Sequence, residues 1–209
     1  MSNLKTISTL FLNHGSNVST IMLGRLSGLQ KLRCIFTKCW DDCNSFPELS
    51  CLSRLESLKV CFSGKVHSPS KFSFPANLKK LMLSSFQLPW NEISAIGRFP
   101  NLEVLKLLDR AFEEQQWEMN EGELQNLKFL KLDLLNITTW IVSSEHLRSL
   151  EQIVLHRCKH LQEIPSGLGE IPTLEIIEMR GCSPSAKNSV KLIQKEQSDL
   201  ENDQPEVHI

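Results

Sequence analysis

The stretch CKHLQEIPSGLGEIPTLEIIEMRGC runs from Cys158 to Cys182, with His156 and His160 on either side of its first cysteine. Thiols and imidazoles this close in sequence can close a disulfide loop, hold a metal ion, or pair a thiolate nucleophile with a base. Four more cysteines, Cys34, Cys39, Cys43 and Cys51, crowd the first quarter of the chain, but their spacings match no C-x-x-C arrangement. The sequence contains no G-x-x-x-x-G-K-[ST] phosphate loop, no G-x-S-x-G elbow and no H-E-x-x-H metal motif. The expectation is a protein that is not an enzyme, with no catalytic residue, no metal site and no cofactor.

Composition narrows the classes further. Apolar residues make up 41% and charged residues 22% of the 209 positions, enough to bury a core. A formal charge of -1 exerts no global pull on nucleic acid or an anionic membrane. No apolar run approaches the roughly 18 residues of a membrane span, so no transmembrane segment is expected. The opening MSNLKTISTLFLNHGS interrupts its apolar residues with Ser and Thr, unlike a secretory signal. Seven cysteines, an odd number, suit a reducing compartment, so a cytoplasmic location with reduced thiols is expected. The tripeptides Asn17-Val18-Ser19 and Asn136-Ile137-Thr138 fit the glycosylation sequon, which arises often by chance.

The positioning elements repeat. The pattern L-x-x-L-x-L begins at Leu29, Leu55, Leu78, Leu102, Leu127, Leu150 and Leu174, in steps of 26, 23, 24, 25, 23 and 24 residues. Three positions before each start stands another apolar residue, Pro75 being the exception. Four columns over seven repeats make 28 slots, of which 27 are apolar, against about 11 expected from the 41% apolar fraction. These periods are those of leucine-rich repeats. Residues two apart on a strand share a side, so each repeat is a short strand with one apolar face, which only stacked copies can bury. The fold class expected is α/β: a leucine-rich-repeat solenoid with a curved parallel sheet on its concave side, an irregular or helical convex side and a C-terminal helical cap. Cys158 and Cys182 then occupy the slot eight residues after a repeat start, where a small polar side chain serves the turn backbone; His156 faces the other way.

Residues between the strand leucines face outward and line the concave surface. That column reads Arg33, Lys59, Met82, Lys106, Lys131, Val154 and Glu178, four of the seven being basic. Phe36, Phe62 and Phe129, with Ile35, Leu108 and Leu134, are expected beside it. An ordinary solvated face accounts for such a column; a basic ladder matched to an acidic protein surface is the functional alternative.

The solenoid is expected over residues 1–182, with a degenerate first repeat near Leu4. SPSAKNSVKLIQKEQ reads as a capping helix over 183–197, begun by Ser183 as N-cap and Pro184 at its first position. Residues 198–209 read as a flexible polar tail. Met1 opens inside the pattern with no capping segment, so the chain is expected to be part of a longer protein or a truncated gene model, and to fray over residues 1–50 when isolated.

The segments FPNLEVLKL, LGRLSGLQKLRC and LEQIVLHRCKHLQEIPSGLGEIPTLEIIEMRGCSPSAKNSVKLI resemble the C-terminal leucine-rich repeats of plant intracellular immune receptors. They are similar more narrowly to the coiled-coil, nucleotide-binding type that includes the late-blight resistance proteins of nightshade-family plants. The resemblance implies a recognition and autoinhibitory domain acting in defence. It implies protein partners: a pathogen effector or guarded host protein and, in a full-length parent, its own nucleotide-binding module. The coiled coil and phosphate loop of that family are absent from these 209 residues. Two alternatives are an extracellular leucine-rich-repeat receptor fragment, for which strict periods with Asn in the turn slot are expected, and a ubiquitin-ligase substrate adaptor, which requires an upstream F-box-like segment.

Overall fold

The structure, a computed structural model, describes residues 4–12, 23–36, 49–63, 74–143, 145–199 and 205–209. Its strands in chain order are β1 (Thr6–Leu12), β2 (Lys31–Phe36), β3 (Ser57–Phe62), β4 (Lys80–Ser84), β5 (Val104–Leu108), β6 (Gln116–Glu118), β7 (Phe129–Asp133), β8 (Thr139–Ile141), β9 (Gln152–His156), β10 (Ile176–Arg180) and β11 (Glu206–His208). Nine of them form one parallel sheet in the order β1-β2-β3-β4-β5-β7-β9-β10-β11. Sheet neighbours are successive turns of a solenoid.

Every residue in the three strand-phase columns of the repeat is buried, the most accessible being Leu174 at 7%. Leu81, Leu105, Leu130, Ile153 and Ile177 lie in unbroken register across the sheet, each covered by the equivalent residue of the turn on either side. Burying one such side chain contributes about 1.5–3 kcal/mol, all of it between turns and none within one. Strand starts are tied by a recurring double bond in which one carbonyl accepts two N–H groups of the next turn. Lys79 O, for example, accepts from Glu103 and Val104, both at 2.9 Å.

From β4 onward each turn leaves its strand through a left-handed residue, whereas the equivalent Phe36 and Phe62 remain within their strands. Ser85, Asp109, Leu134, Arg157 and Gly181 stand seven residues after their repeat starts and all have φ between 46° and 65°. Their N–H groups reach across to the following turn, as Asp109 does to Asp133 O (2.8 Å) and Arg157 to Arg180 O (2.7 Å). Glycine alone adopts this conformation without steric cost, and here it occupies only the last of these positions.

The convex side is built from short pieces: a 3-10 turn at Trp90–Glu92 running into a helix at Ile93–Gly97, another 3-10 turn at Ser166–Leu168, and the two-stranded parallel sheet β6–β8. Trp117 and Trp140 are register partners in that small sheet and stack at 5.2 Å, and Trp90 stacks on Trp117 at 4.5 Å. Phe112 lies on Trp90, also at 4.5 Å.

At the C-terminal end the helix spans Pro184–Asp199, rather than 183–197. The Ser183 hydroxyl accepts from Ala186 N–H at 3.0 Å and donates to Leu161 O, so one side chain both caps the helix and fastens it to the turn below. Ala186, Val190 and Ile193 face the core. The expectation of a flexible tail is corrected: Glu206–His208 forms β11 and extends the sheet, pairing Ile176 with Glu206, Ile177 with Val207 and Glu178 with His208. Val207, a branched apolar residue among polar ones, lies beside Ile177 and packs on the core.

At the other end β1 pairs with β2 through Thr6↔Lys31 and Ile7↔Leu32, then shifts register before Leu10. Ile7 packs on the core while Leu4 is 42% exposed, so the degenerate first repeat contributes a strand with a poorer apolar face.

Gly181→Ala isolates the cost of the left-handed exit, because the added Cβ meets nothing closer than 3.6 Å. A loss of about 1 kcal/mol in urea unfolding is expected from backbone conformation alone; an unchanged midpoint would contradict it.

Candidate protein-binding face

The outward residues form continuous rows because the strands are in register. Arg33, Lys59, Met82, Lys106, Lys131, Val154 and Glu178 are successive partners across β2, β3, β4, β5, β7, β9 and β10. A second row, two residues upstream, carries Lys31, Ser57, Lys80, Val104 and Phe129. The N-terminal halves of both rows line a concave groove of about 790 Å³.

Two of the residues expected on this face lie in the core instead, and a third is on the face but covered. Phe36 and Phe62 are 3% and 5% exposed and stack on each other in the core with ring centroids 6.4 Å apart. Each stands two residues beyond a core-column residue, Cys34 or Val60, and strand alternation returns it to the same inner face. Val154 does face the concave side but is only 4% exposed. It sits in register between Lys131 and Glu178, and His156, two residues further on, bridges those two side chains. His156 Nδ1 is 3.1 Å from Lys131 Nζ, and its Nε2 is 3.0 Å from Glu178 Oε1. Phe129 is placed as expected, half-buried on the concave face, with Lys106 Nζ 4.9 Å from its ring centre.

Charge divides the face into two regions. In the C-terminal half, Asp133 takes Arg157 at 2.7 Å and Lys131 at 3.6 Å, and Glu178 takes Arg180 and His156, both at 3.0 Å. The His156 hydrogen bond, and then Arg180, hold the Glu178 carboxyl below its ordinary value of 4.5. This half neutralises itself. In the N-terminal half, Lys31, Arg33, Lys59, Lys80 and Lys106 have no carboxylate within ion-pairing distance among the described residues. Burial, followed by the charges of Lys131, Lys59 and Lys80, pushes the Lys106 amine below its ordinary value of 10.5.

A neighbouring row shows the chain's alternative. Glu56, Lys79, Glu103, Lys128 and Glu151, at the strand starts, alternate in sign from turn to turn, with Lys79–Glu56 at 3.5 Å and Lys128–Glu151 at 2.8 Å. Four of these five residues form such pairs, two of them (Glu56 and Lys79) at the groove's own lining, whereas the five cations of the two concave rows have no such partner among the described residues. Lys31 and Lys80 escaped the sequence reading because only the column between the two strand leucines was taken; the same alternation two residues upstream points to them.

Cys158 is fully buried, its Sγ against His156 O (3.5 Å) and Leu132 O (3.7 Å), and Cys182 Sγ lies 3.2 Å from Leu155 O. Both thiols lie against carbonyls at the C-terminal ends of strands β7 and β9. Cys34 is a core residue whose thiol burial pushes up to about 12, while Cys51 is exposed. Cys39, Cys43 and the Asn17 sequon lie outside the described residues, among which no group of three potential metal ligands occurs.

Repeat columns, a parallel sheet and an open concave face together define a leucine-rich-repeat solenoid. No family model matches the chain. It is, however, 35% identical over 198 residues to the putative late blight resistance protein homolog R1B-16 of Solanum demissum, covering 93% of this chain and 15% of that protein. The putative homolog R1B-23 of the same plant is 35% identical over 201 residues, covering 94% of this chain and 16% of that protein. Late blight resistance protein R1-A, also of Solanum demissum, is 34% identical over 197 residues, covering 93% of this chain and 15% of its own length. The chain thus spans only about 15–16% of the length of these curated relatives. The resemblance to late-blight-resistance proteins therefore holds over nearly all of the chain, as similarity to a segment of them.

Core placement makes Phe62→Ala costly, about 3–5 kcal/mol in chemical unfolding, and Phe129→Ala distinctly cheaper; equal costs would return Phe62 to the surface. The Glu178 network carries a pH signature. Its stabilisation is complete above pH 4.5 and is lost as pH falls through the depressed native value, so Glu178→Gln should flatten the acid limb of a stability–pH curve.

Proposed function

We propose that this chain is a protein-recognition segment of a plant disease-resistance receptor and that its basic groove holds an acidic surface of a partner protein. The single observation that carries the reading is the set of unneutralised cations in adjacent turns of the concave face. Similarity to late blight resistance proteins supplies the biological setting. Lysine and arginine rows over Met82, Val104 and Phe129 offer charge steering at the rim and apolar contact at the floor. Candidate partners are a pathogen effector, a guarded host protein or, within a longer parent, its nucleotide-binding module. The work is binding rather than catalysis. A cytoplasmic setting agrees with the thiol-rich composition and with the family resembled, and no helix among the described residues is long and apolar enough to cross a membrane.

The test replaces Lys59 and Lys106 together by Glu, leaving the Lys131 network intact. A fluorescent Glu-rich peptide with a central Phe should bind the parent chain more weakly as salt rises, and the double variant at least about tenfold more weakly still. Lys128→Glu, on the self-paired row, should leave binding unchanged. Equal binding by parent and double variant at low salt would reject the groove. In a full-length receptor, the double variant should lose pathogen-triggered cell death while accumulating to the same level.

A further inference from the structure

Cys158 and Cys182 occupy the same slot of successive turns. The register of β9 and β10 runs through His156↔Arg180, and it continues past the strands in the bond from Arg157 N–H to Arg180 O at 2.7 Å. Gly181, the next residue, lies against the Arg157 backbone, 3.8 Å from its Cα to an added Cβ. Each thiol also makes the same contact one turn apart: Cys158 Sγ reaches Leu132 O and Cys182 Sγ reaches Leu155 O, and Leu132 and Leu155 are register partners. One strand spacing, about 4.8 Å, therefore separates the two cysteine backbones, inside the Cα range that disulfides span. The pair is unequal in access, since Cys158 is fully buried and Cys182 half-exposed.

We propose that Cys158 and Cys182 form a peroxide-oxidisable dithiol, reduced at rest, in which Cys182 is the attacking thiol and Cys158 the resolving one. The Cys182 thiolate sulfur attacks hydrogen peroxide, the O–O bond breaks, and the products are Cys182–SOH and hydroxide. The Cys158 sulfur then attacks the Cys182 sulfur; the S–O bond breaks, and the departing hydroxide leaves as water with the Cys158 proton. In total, two thiols give up two electrons, the peroxide is reduced, and two waters form.

Local chemistry favours this order. The neighbouring Cys158 thiol, aided by the backbone N–H groups of Cys158 and Arg180, brings the Cys182 thiol down to about 7 against the opposing effect of burial. The interaction with Cys182, followed by burial, pushes Cys158 up. Sulfenylation removes the negative sulfur that keeps Cys158 protonated, so the first step releases the second.

Trypsin cuts the full chain so that Cys158-Lys159 and Gly181–Lys187 each contain one of the two cysteines. After brief treatment with stoichiometric hydrogen peroxide, mass spectrometry should find these two peptides linked, and dithiothreitol should separate them. Cys158→Ser should instead leave Cys182 as a sulfenic acid trapped by dimedone, and Cys182→Ser should leave Cys158 unmodified. In the parent chain, alkylation of Cys182 should be half-maximal near pH 7, with half-exposed Cys61 as internal reference. Circular dichroism establishes that the serine variants fold. Failure to form the linked peptide while Cys61 oxidises, or dimedone on Cys158 in preference to Cys182, would overturn the proposal.

Discussion

A strand of five or six residues with two or three apolar side chains on one face cannot cover that face itself. Leu130 is buried because Leu105 and Ile153 flank it in register, and those two depend in turn on Leu81 and Ile177. All else in the molecule follows from keeping that register from turn to turn. The chain must leave each strand at one fixed point, and from β4 to β10 it does so through a left-handed residue even where that residue is Leu134 or Arg157. The strain of a non-glycine residue there is about 1–2 kcal/mol, while the three inward side chains of one turn contribute several times as much. Register wins over local comfort.

In-register stacking also decides what chemistry the surface can carry. Any outward position becomes a row at strand spacing, so its neighbours are the equivalent residues of adjacent turns rather than residues near in sequence. The row at the strand starts takes alternating charges from Glu56 to Glu151 and pairs Lys79 with Glu56 and Lys128 with Glu151. On the concave face Asp133 and Glu178 do the same for Lys131, Arg157 and Arg180. From Lys106 back to Arg33 no carboxylate intervenes in the row, and the Lys106 amine is depressed by its burial first and by the neighbouring lysines second. The same rule puts Cys158 beside Cys182 although 24 positions separate them in the sequence, which no linear motif would bring together.

The repeats, the parallel sheet and the inward columns were legible in the sequence because apolar periodicity records burial directly. Phe36 and Phe62 were misplaced because hydrophobicity at the strand end was read as an exposed patch; counting two on from Cys34 and Val60 puts them inside. Val154 was placed on the correct face, but its covering by His156 depends on a bridge between side chains from three different strands, which no single column reveals. The Trp90, Trp117 and Trp140 stack lies in the variable part of the period. Its signal was spacing, 27 and 23 residues, close to the repeat length but blurred by loops of unequal size. β11 had the weakest signal, since a three-residue strand with one apolar residue, Val207, differs little from a polar tail.

Strand alternation separates the two faces, and this separation lets a solenoid carry function without endangering its fold. Inward residues are held by burial between neighbours, whereas outward ones such as Lys59 and Lys106 contribute little to that burial and can differ from turn to turn. Where the faces do couple, as at Phe129 beneath Lys106 or Val154 beneath the His156 bridge, a change in the row also changes how much apolar surface is covered. The N-terminal half of the groove joins both features, since its cations alternate with half-buried Met82 and Val104 and Lys106 lies over Phe129. A partner that brings carboxylates to that half removes a repulsion already present and covers apolar surface in one step. The self-paired C-terminal half would first have to lose ion pairs that it already makes, so under the proposed function an acidic partner is met at one end of the concave face.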